Sequence, residues 1–543
     1  MKKLFFLSPS YCIVFFLSWF GLGATPIPIA PFFNLPLILV LVRTKPLGVN
    51  LIPLFLTIAL GAGLAYHEPT SPFGNYFDDL KVLVMVGCVI SAFTLFPMVT
   101  HRFILNYTDI KEPIGSNSWY HSWLIFPLLW TATWSLIRRY SPLGSWGDWA
   151  YTIYNWGYTD YMIYNHRIKR FNFQQNDTEE TPLLDNRSSN DRIKKVLEYN
   201  WYLMFAFGIL FLALFVGGSY RLQQIEDNNE PLKTMPIGCV LPTRDVSIDD
   251  LLKSSDTLAT NHNSKIVLWS ESAISIRNQK EFNDMMDKAK NKTKEKHFFL
   301  GLTYTIGDDV NMHKKKNMLT LMGPDGKVIF NYQKVNPVPL VESYYIEGGQ
   351  NDPPVENITT PKTKLDRDPV SIEVSGAICL DMDFPELLGK AAKAYLVLSP
   401  ARTWSAHIGL HHLRMASVRA IENGYWILRC DGGGASGLID PLGRVRHVEI
   451  SPNTKNMQLF SWDIPVEEPK IKTIYAEWGE WSIWGTLAFL GVLRLGWIAA
   501  WEASPYQMGR TWDDGVRKFK NGRKWIEYKY NEMFENERMN LLV

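Results

Sequence analysis

Hydrophobic and polar positions divide this chain into two regimes. Up to about residue 222, long apolar runs dominate: Phe5 to Phe20, Pro31 to Leu41, Leu51 to Tyr66, Val82 to Val99, Trp119 to Ile137 and Trp201 to Tyr220. Trp149 to Tyr164 is a further segment, rich in Trp and Tyr but interrupted by Asn155, Gly157 and Asp160. Each run is near the length that crosses a bilayer, and aromatic flanks help the shorter ones. Phe5 to Phe20 lies behind Met1, Lys2 and Lys3, but no small-residue cleavage site ends it and more apolar runs follow, so it reads as a retained helix. One more run, Trp481 to Trp501, comes late in the chain. The pattern predicts a polytopic α-helical membrane domain over residues 1–222, with about seven helices and a polar loop at 165–195, and a final transmembrane helix at 481–501 before a basic tail at 502–543.

From Pro236 the period shortens and strands alternate with helices. Ile266 to Trp269, Phe298 to Tyr304, Met318 to Met322, Lys327 to Tyr332, Ile372 to Cys379, Tyr395 to Ser399, Tyr425 to Arg429, Ser436 to Ile439 and Gln458 to Trp462 read as strands, with Asp325-Gly326 as a hairpin turn. Residues 409 to 423 read as a helix with Leu410, Leu413, Ser417, Ala420 and Ile421 on one face and Gly424 as its stop. Such alternation over 236–465 predicts two sheets faced by helices.

Charge adds an orientation. Lys and Arg total 56 against 54 Asp and Glu, a balance that excludes a nucleic-acid binder as the first reading. With seven helices before the sandwich, Lys2 and Lys3, Arg43 and Lys45, His166 to Arg170, Arg192 to Lys195 and Arg517 to Lys524 all fall on one side, Arg138 and Arg139 being the exception. The positive-inside rule makes that side the cytoplasm and puts the sandwich outside it, in the endoplasmic reticulum lumen of a eukaryote or the periplasm of a bacterium. Five scattered cysteines, Cys12, Cys88, Cys239, Cys379 and Cys430, form no CxxC pair and have no His at ligand spacing, so neither a disulfide framework nor a zinc site is expected. Of five Asn-x-Ser/Thr sequons, at Asn106, Asn176, Asn186, Asn291 and Asn357, two fall in the predicted cytoplasmic loop, so most of the five read as chance.

The candidate chemistry sits where apolar strands run out. KIVLWSES ends in Glu271, VIFNYQKVNPVP runs out into Lys334, and VSIEVSGAICLDMDFPELL presents Cys379. A lone buried cysteine is commonly a small hydrophobe. A thiol with a pKa near about 8.5 is only slightly ionised at neutral pH, so a nucleophilic Cys needs a base and a nearby cation. Glu271 can take the proton and Lys334 can hold the charge.

WSES, NYQKVNPVPLVE and GAICLDMDFPELL, with HHLRMASVRAIENGYWILRCDGGGASGLIDPLGRV from His411 to Val445, resemble the nitrilase, or carbon-nitrogen hydrolase, superfamily. The flanking apolar segments make the membrane-embedded apolipoprotein N-acyltransferase branch the nearest likeness. The resemblance implies a nitrilase-type αββα sandwich with Glu271 as general base, Lys334 as oxyanion stabiliser and Cys379 as nucleophile, the backbone N–H of Leu380 assisting. It implies a phospholipid acyl donor, an amine or lipoprotein acceptor, membrane lipids as partners, a cysteine thioester intermediate, and neither metal nor organic cofactor. Glu342 matches a further acid on the loop after the lysine, and Trp404, in SPARTWSAH, matches a Trp-containing active-site loop.

One departure keeps an alternative open. Where acyltransferases carry an aromatic residue and then Glu after the cysteine, this chain has Leu380 and Asp381, which brings CLDMDFPELL nearer the soluble amidases, so the same three residues would also serve a membrane-tethered amidase. A catalytically silent scaffold is the third reading, and retention of all three residue types speaks against it. His407, His411 and His412 open an amphipathic helix and read as structural rather than as a base for the thiol.

Overall fold

The structure is a computed structural model that describes residues 9–23, 26–27, 30–67, 76–109, 119–145, 216, 233–243, 246–307, 314–361, 369–451, 456–466 and 470–502. Five apolar helices come first: α1 (Pro9–Gly21), α2 (Ala30–Thr44), α3 (Leu47–Ala65), α4 (Tyr76–Asp109) and α5 (Trp119–Tyr140). Their shared interior holds Tyr11, Val14, Ile38, Leu54, Ile58 and Met98. Their outer faces are apolar as well, with Ile52 68% and Phe96 60% exposed, which is costly in water and ordinary against lipid. Among the described residues, Leu47–Ala65 and Leu80–Ile104 are long and apolar enough to cross a membrane. The expected segments Trp149 to Tyr164 and Trp201 to Tyr220 (Val216 apart), the polar loop 165–195 and the tail beyond residue 502 lie outside the described residues.

A sandwich of two sheets follows. The first joins β1 (Thr234–Leu241), β2 (Ile266–Trp269), β3 (Ile274–Ile276), β4 (Phe299–Ile306), β5 (Lys315–Met322), β6 (Val328–Gln333), β7 (Ile346–Glu347) and β14 (Gln458–Pro465) in the order β14-β1-β2-β4-β5-β6, with β3 on β4 and β7 on β5. The second joins β8 (Val355–Thr359), β9 (Ser371–Gly376), β10 (Leu396–Ala401), β11 (Trp426–Asp431), β12 (Ala435–Ile439) and β13 (Val445–Ile450) in the order β13-β12-β11-β10-β9-β8. The strands nearest the middle, β1, β2 and β4 in one sheet and β9, β10 and β11 in the other, run parallel. Their near-continuous apolar runs, IVLW in β2 and WILRCD in β11, suit sheets covered on both faces.

Three apolar layers hold the sandwich together. Ile237, Leu268, Phe330, Val374, Leu398 and Leu428 pack between the sheets. Leu251, Leu258, Trp269 and Met285 pack the first sheet against α6 (Ile248–Asn261) and α7 (Gln279–Lys296). Leu388, Leu410, Leu413 and Ile427 pack the second against α8 (Pro385–Gly389) and α9 (Ala406–Asn423). The order of layers is therefore α, β, β, α, as the sequence resemblance implied. Side chains set the helix limits: Ser247, Asn278 and Ser405 cap α6, α7 and α9 by accepting from Asp250 N, Glu281 N and Ile408 N. Gly424, at φ +69, ends α9 in the left-handed conformation that glycine adopts without strain. Two helices close the described chain, the short α10 (Ile474–Trp478) and the longer α11 (Trp481–Glu502), the latter at the expected final apolar run.

Three expectations need correction. Cys239 in β1 and Cys430 in β11 form a disulfide across the two sheets, with their Cα atoms 5.5 Å apart, although no disulfide was expected from scattered cysteines without a CxxC pair. Spacing along the chain cannot reveal partners that only the face-to-face packing of two sheets brings together. Cys379 does not end a strand: β9 stops at Gly376, and Cys379 opens a 3-10 turn, Cys379–Asp383. Ile421, placed on the apolar face of α9, is 36% exposed, whereas His411, His412 and Arg414 on the same helix are buried.

Candidate active site

The site forms where β2, β6 and the turn after β9 converge on one point between the sheets. Glu271 follows β2 by two residues, Lys334 follows β6 by one, and Cys379 begins the 3-10 turn. The backbone at Glu271 is tied to both sheets: Ser270 N donates to Val240 O at 3.0 Å and Glu271 N to Ala401 O at 3.3 Å. Glu271, Lys334 and Cys379 are 1%, 0% and 3% exposed. Charges so deeply buried persist only when they are paired and hydrogen-bonded.

Pairing is complete. Lys334 Nζ donates to Glu271 Oε1 at 2.7 Å and to Glu342 Oε2 at 2.6 Å. Glu271 also accepts from Asn317 Nδ2 at 2.8 Å and from the Arg402 backbone N–H at 2.9 Å. Against burial, the Cys379 thiol lowers the pKa of the same carboxylate. Burial pushes the Glu271 pKa up, and Lys334 acts against that shift. Burial works against the Lys334 ammonium, but Glu271, Cys379 and Glu342 outweigh it and hold its pKa well above the ordinary lysine value. Burial and the Glu271 charge drive the Cys379 pKa well up, with Lys334 and Arg429 opposing. The resting arrangement is thus a neutral thiol beside a carboxylate held by three N–H donors.

Backbone geometry at the site is unusual. Five non-glycine residues among those described have positive φ, and three of them, Ser272, Leu340 and Cys379, line one cavity. Residues held in the left-handed region cost of order 1–3 kcal/mol each and cluster where function fixes the backbone. As the second residue of the 3-10 turn, Leu380 has no carbonyl one turn back for its N–H, which leaves a donor beside the thiol.

The cavity encloses about 720 Å³, within the range usual for a small-molecule site. Glu271, Cys379, Leu380, Glu342 and Trp404 line it on the sandwich side, and Val338 to Val341 close one wall. Tyr66, Val82, Met85 and Val86 from the ends of α3 and α4, with Pro142 and Leu143 after α5, line the other. It is apolar where the helices meet it and charged at the thiol.

Of the supporting residues expected from sequence, Glu342, Leu380 and Trp404 line the cavity and Asp381 does not. The buried Asp381 carboxylate instead accepts from Tyr332 Oη, Val335 N, Asn336 N, Asn336 Nδ2 and Ile378 N, strapping the loop after Lys334 to the turn that carries Cys379. Burial raises its pKa to about 6. Sequence reasoning missed Asn317, whose only signal was a polar residue in the apolar strand KKNMLTLM. It also missed Asp431, which accepts from Thr403 N at 2.9 Å, Gly433 N at 3.2 Å and Arg429 Nη2 at 2.9 Å and so orders the loop whose Arg402 N–H reaches Glu271.

Comparison with known proteins follows this geometry. Residues 243–466 match the carbon-nitrogen hydrolase family. An apolipoprotein N-acyltransferase of Pseudomonas putida is 28% identical over 251 residues, which are 43% of this chain and 46% of that protein. The chain thus spans about half the length of that curated relative. A "hydrolase in agr operon" of Staphylococcus lugdunensis is 31% identical over 171 residues, 30% of this chain and 68% of that protein. A solved amidase from Nesterenkonia sp. is 20% identical, with 42% of this chain and 90% of that one covered and a TM-score of 0.36. The chain belongs to the carbon-nitrogen hydrolase family.

Proposed function

We propose that this protein is a polytopic membrane N-acyltransferase that moves a fatty acyl chain from a phospholipid, through a thioester on Cys379, to an amine. One observation carries the reading: the cavity lined by Cys379 and by Glu271, to which the buried Lys334 is paired, is lined as well by Tyr66 at the end of α3 and by apolar residues of α4. Burying a CH₂ group is worth about 0.8 kcal/mol, so a sixteen-carbon chain held in water costs on the order of 10 kcal/mol. A donor reaching the thiol along α3 and α4 never meets that cost. The curated relatives named apolipoprotein N-acyltransferase support the same class of reaction.

The chemistry follows from the charges. Glu271 takes the Cys379 proton as sulfur attacks the ester carbonyl, because the raised thiol pKa leaves little thiolate beforehand. Lys334 and the Leu380 N–H face the developing oxyanion, and loss of one such donor typically costs about 3 kcal/mol of barrier. The C–O bond breaks, Glu271 returns the proton to the departing lysophospholipid oxygen, and the acyl group stays on sulfur. An amine nitrogen then displaces the sulfur. Glu342 keeps Lys334 charged and pointed at Glu271.

The sandwich lies outside the cytosol in this reading. The basic loops favour that side, and so does the Cys239–Cys430 disulfide, since such bonds persist in oxidising compartments. Labelling of cysteines introduced near Asn357 tests the orientation, and access from the cytosol overturns it. The second reading is a membrane-tethered amidase, favoured by Leu380-Asp381 and by the hydrolase among the relatives. Incubation with phospholipid alone separates the two. Acyl transfer gives one equivalent of lysophospholipid and acylated Cys379, with turnover only on adding an amine. An unmodified thiol with repeated hydrolysis of a simple amide establishes the amidase.

A further inference from the structure

We infer that His412, seated on Asp383, is the proton acceptor for an amine that reaches the acyl enzyme as an ammonium ion. This rests on the acyl-transfer reading above.

Proton balance creates the need. When water resolves a thioester, one proton leaves the nucleophile and one returns to sulfur, so a single base suffices. An ammonium must lose two protons to become an amide. Glu271 takes one from nitrogen as the N–C bond forms and the C–S bond breaks, and hands it to the departing Cys379 sulfur. The other must leave first, because a protonated nitrogen has no lone pair to attack with.

The cavity offers few places for that first proton. Its titratable and charged side chains, among the described residues, are Tyr66, Glu271, Glu342, Tyr345, Cys379, Arg402 and His412. Glu271 and Glu342 are engaged by Lys334, Cys379 carries the acyl group, and Arg402 is a permanent cation. Burial raises the Tyr345 pKa, so its phenol is neutral and a poor acceptor. Tyr66 is likewise a phenol, its ring packed edge-on against His411. That leaves His412.

His412 is built for the role. It is 5% exposed, and its Nδ1 lies 3.1 Å from Asp383 Oδ2, a carboxylate with no hydrogen bond to either oxygen among the described residues. A proton carried by His412 would therefore stand beside a buried negative charge. With Nδ1 on Asp383, Nε2 is the nitrogen left to accept. Asp383 closes the Cys379 turn, and its backbone oxygen accepts from Ser145 N at 2.8 Å and Ser145 Oγ at 2.9 Å. The acceptor pair and the thiol therefore ride on one anchored turn.

The test uses the full chain in phosphatidylcholine vesicles with palmitoyl chains, and two acceptors at neutral pH. Ethylamine arrives as an ammonium, and hydroxylamine arrives neutral. Mass spectrometry reads N-ethylpalmitamide against palmitohydroxamate. In His412→Gln the ratio of ethylamine to hydroxylamine transfer falls about a hundredfold. Asp383→Asn lowers the same ratio by a smaller factor and carries the test if the glutamine variant does not fold. An unchanged ratio in a folded variant overturns the role of His412. No lysophospholipid from the wild-type protein overturns acyl transfer itself, and the inference with it.

Discussion

Replacing Lys334 by methionine probes the centre of the site, because it removes a cation of similar length without opening a large void. Lys334 Nζ lies 2.7 Å from a Glu271 oxygen and 2.6 Å from a Glu342 oxygen, so in the variant two carboxylates face each other across about 5 Å. At an effective dielectric of about 20 their repulsion is about 3 kcal/mol. Glu271 also loses its only buried counter-charge among the described residues, and breaking such a pair from one side costs roughly 3–5 kcal/mol. Proton uptake by one carboxyl limits the total, so the expected loss is about 4 kcal/mol, or roughly 10 °C in melting temperature.

Thermal unfolding of the detergent-solubilised chain, followed by Trp fluorescence, measures this loss. A partner variant makes the reasoning refutable: in Lys334→Met with Glu271→Gln only Glu342 stays charged, so most of the lost stability returns while thioester formation stays absent. A melting temperature unchanged in Lys334→Met refutes the buried-charge argument. So does a double variant no more stable than the single one.

Four further outcomes follow. Cys379→Ala abolishes turnover and leaves the chain folded in membranes, as native gel mobility and circular dichroism report; wild-type turnover in this variant defeats the mechanism. The acid limb of thioester formation lies above the ordinary glutamate value of 4.5, because burial raises the Glu271 pKa and the base is lost as pH falls through it; a limb at or below that value contradicts the assignment. Gly144→Ala, which puts a Cβ 2.3 Å from Asp383 O at a φ of +56, costs about 1–3 kcal/mol and slows thioester formation although Gly144 does not line the cavity. Replacing Cys239 and Cys430 together by Ser lowers stability by about 2–5 kcal/mol in denaturant titrations.

Much of the sandwich was legible because its strands carry unmixed apolar runs. Ile266 to Trp269 was read to the residue, and Asp325-Gly326 marked its turn through a glycine at φ +73. The misses have physical causes. The strand at 355–359 alternates with exposed Glu356 and Asn357, so its apolar signal is weak, and α7 is a polar helix that buries only Met285, Ala289 and Thr293. Glu271, Lys334 and Cys379 could be singled out because each interrupts or ends an apolar run. His412 could not, since a histidine on an amphipathic helix looks the same whether its neighbour in space is a carboxylate or a leucine. Its partner, Asp383, lies 29 positions away on another element, and no periodicity links the two.

The helices matter to the chemistry beyond anchoring it. Ser145, just after α5, holds the backbone oxygen of Asp383, and Arg139 of α5 pairs with Glu386 at 3.3 Å, so the turn and the short helix that follow the thiol are fastened to α5. Glu480 accepts from Ser135 of α5 and from Tyr475 of α10, which ties the same helix to the segment that follows the sandwich. A tether would need none of these contacts. Fixing the thiol against helices rather than loops keeps the apolar wall of Val82, Met85 and Val86 opposite Cys379. In the proposed reaction a thioester on Cys379 would sit between that apolar wall and the paired charges of Glu271, Lys334 and Glu342. On the proposed acyl transfer, water is scarce at the acyl carbon, and an amine delivered with its own proton acceptor has the advantage that would separate a transferase from a hydrolase built on the same three residues.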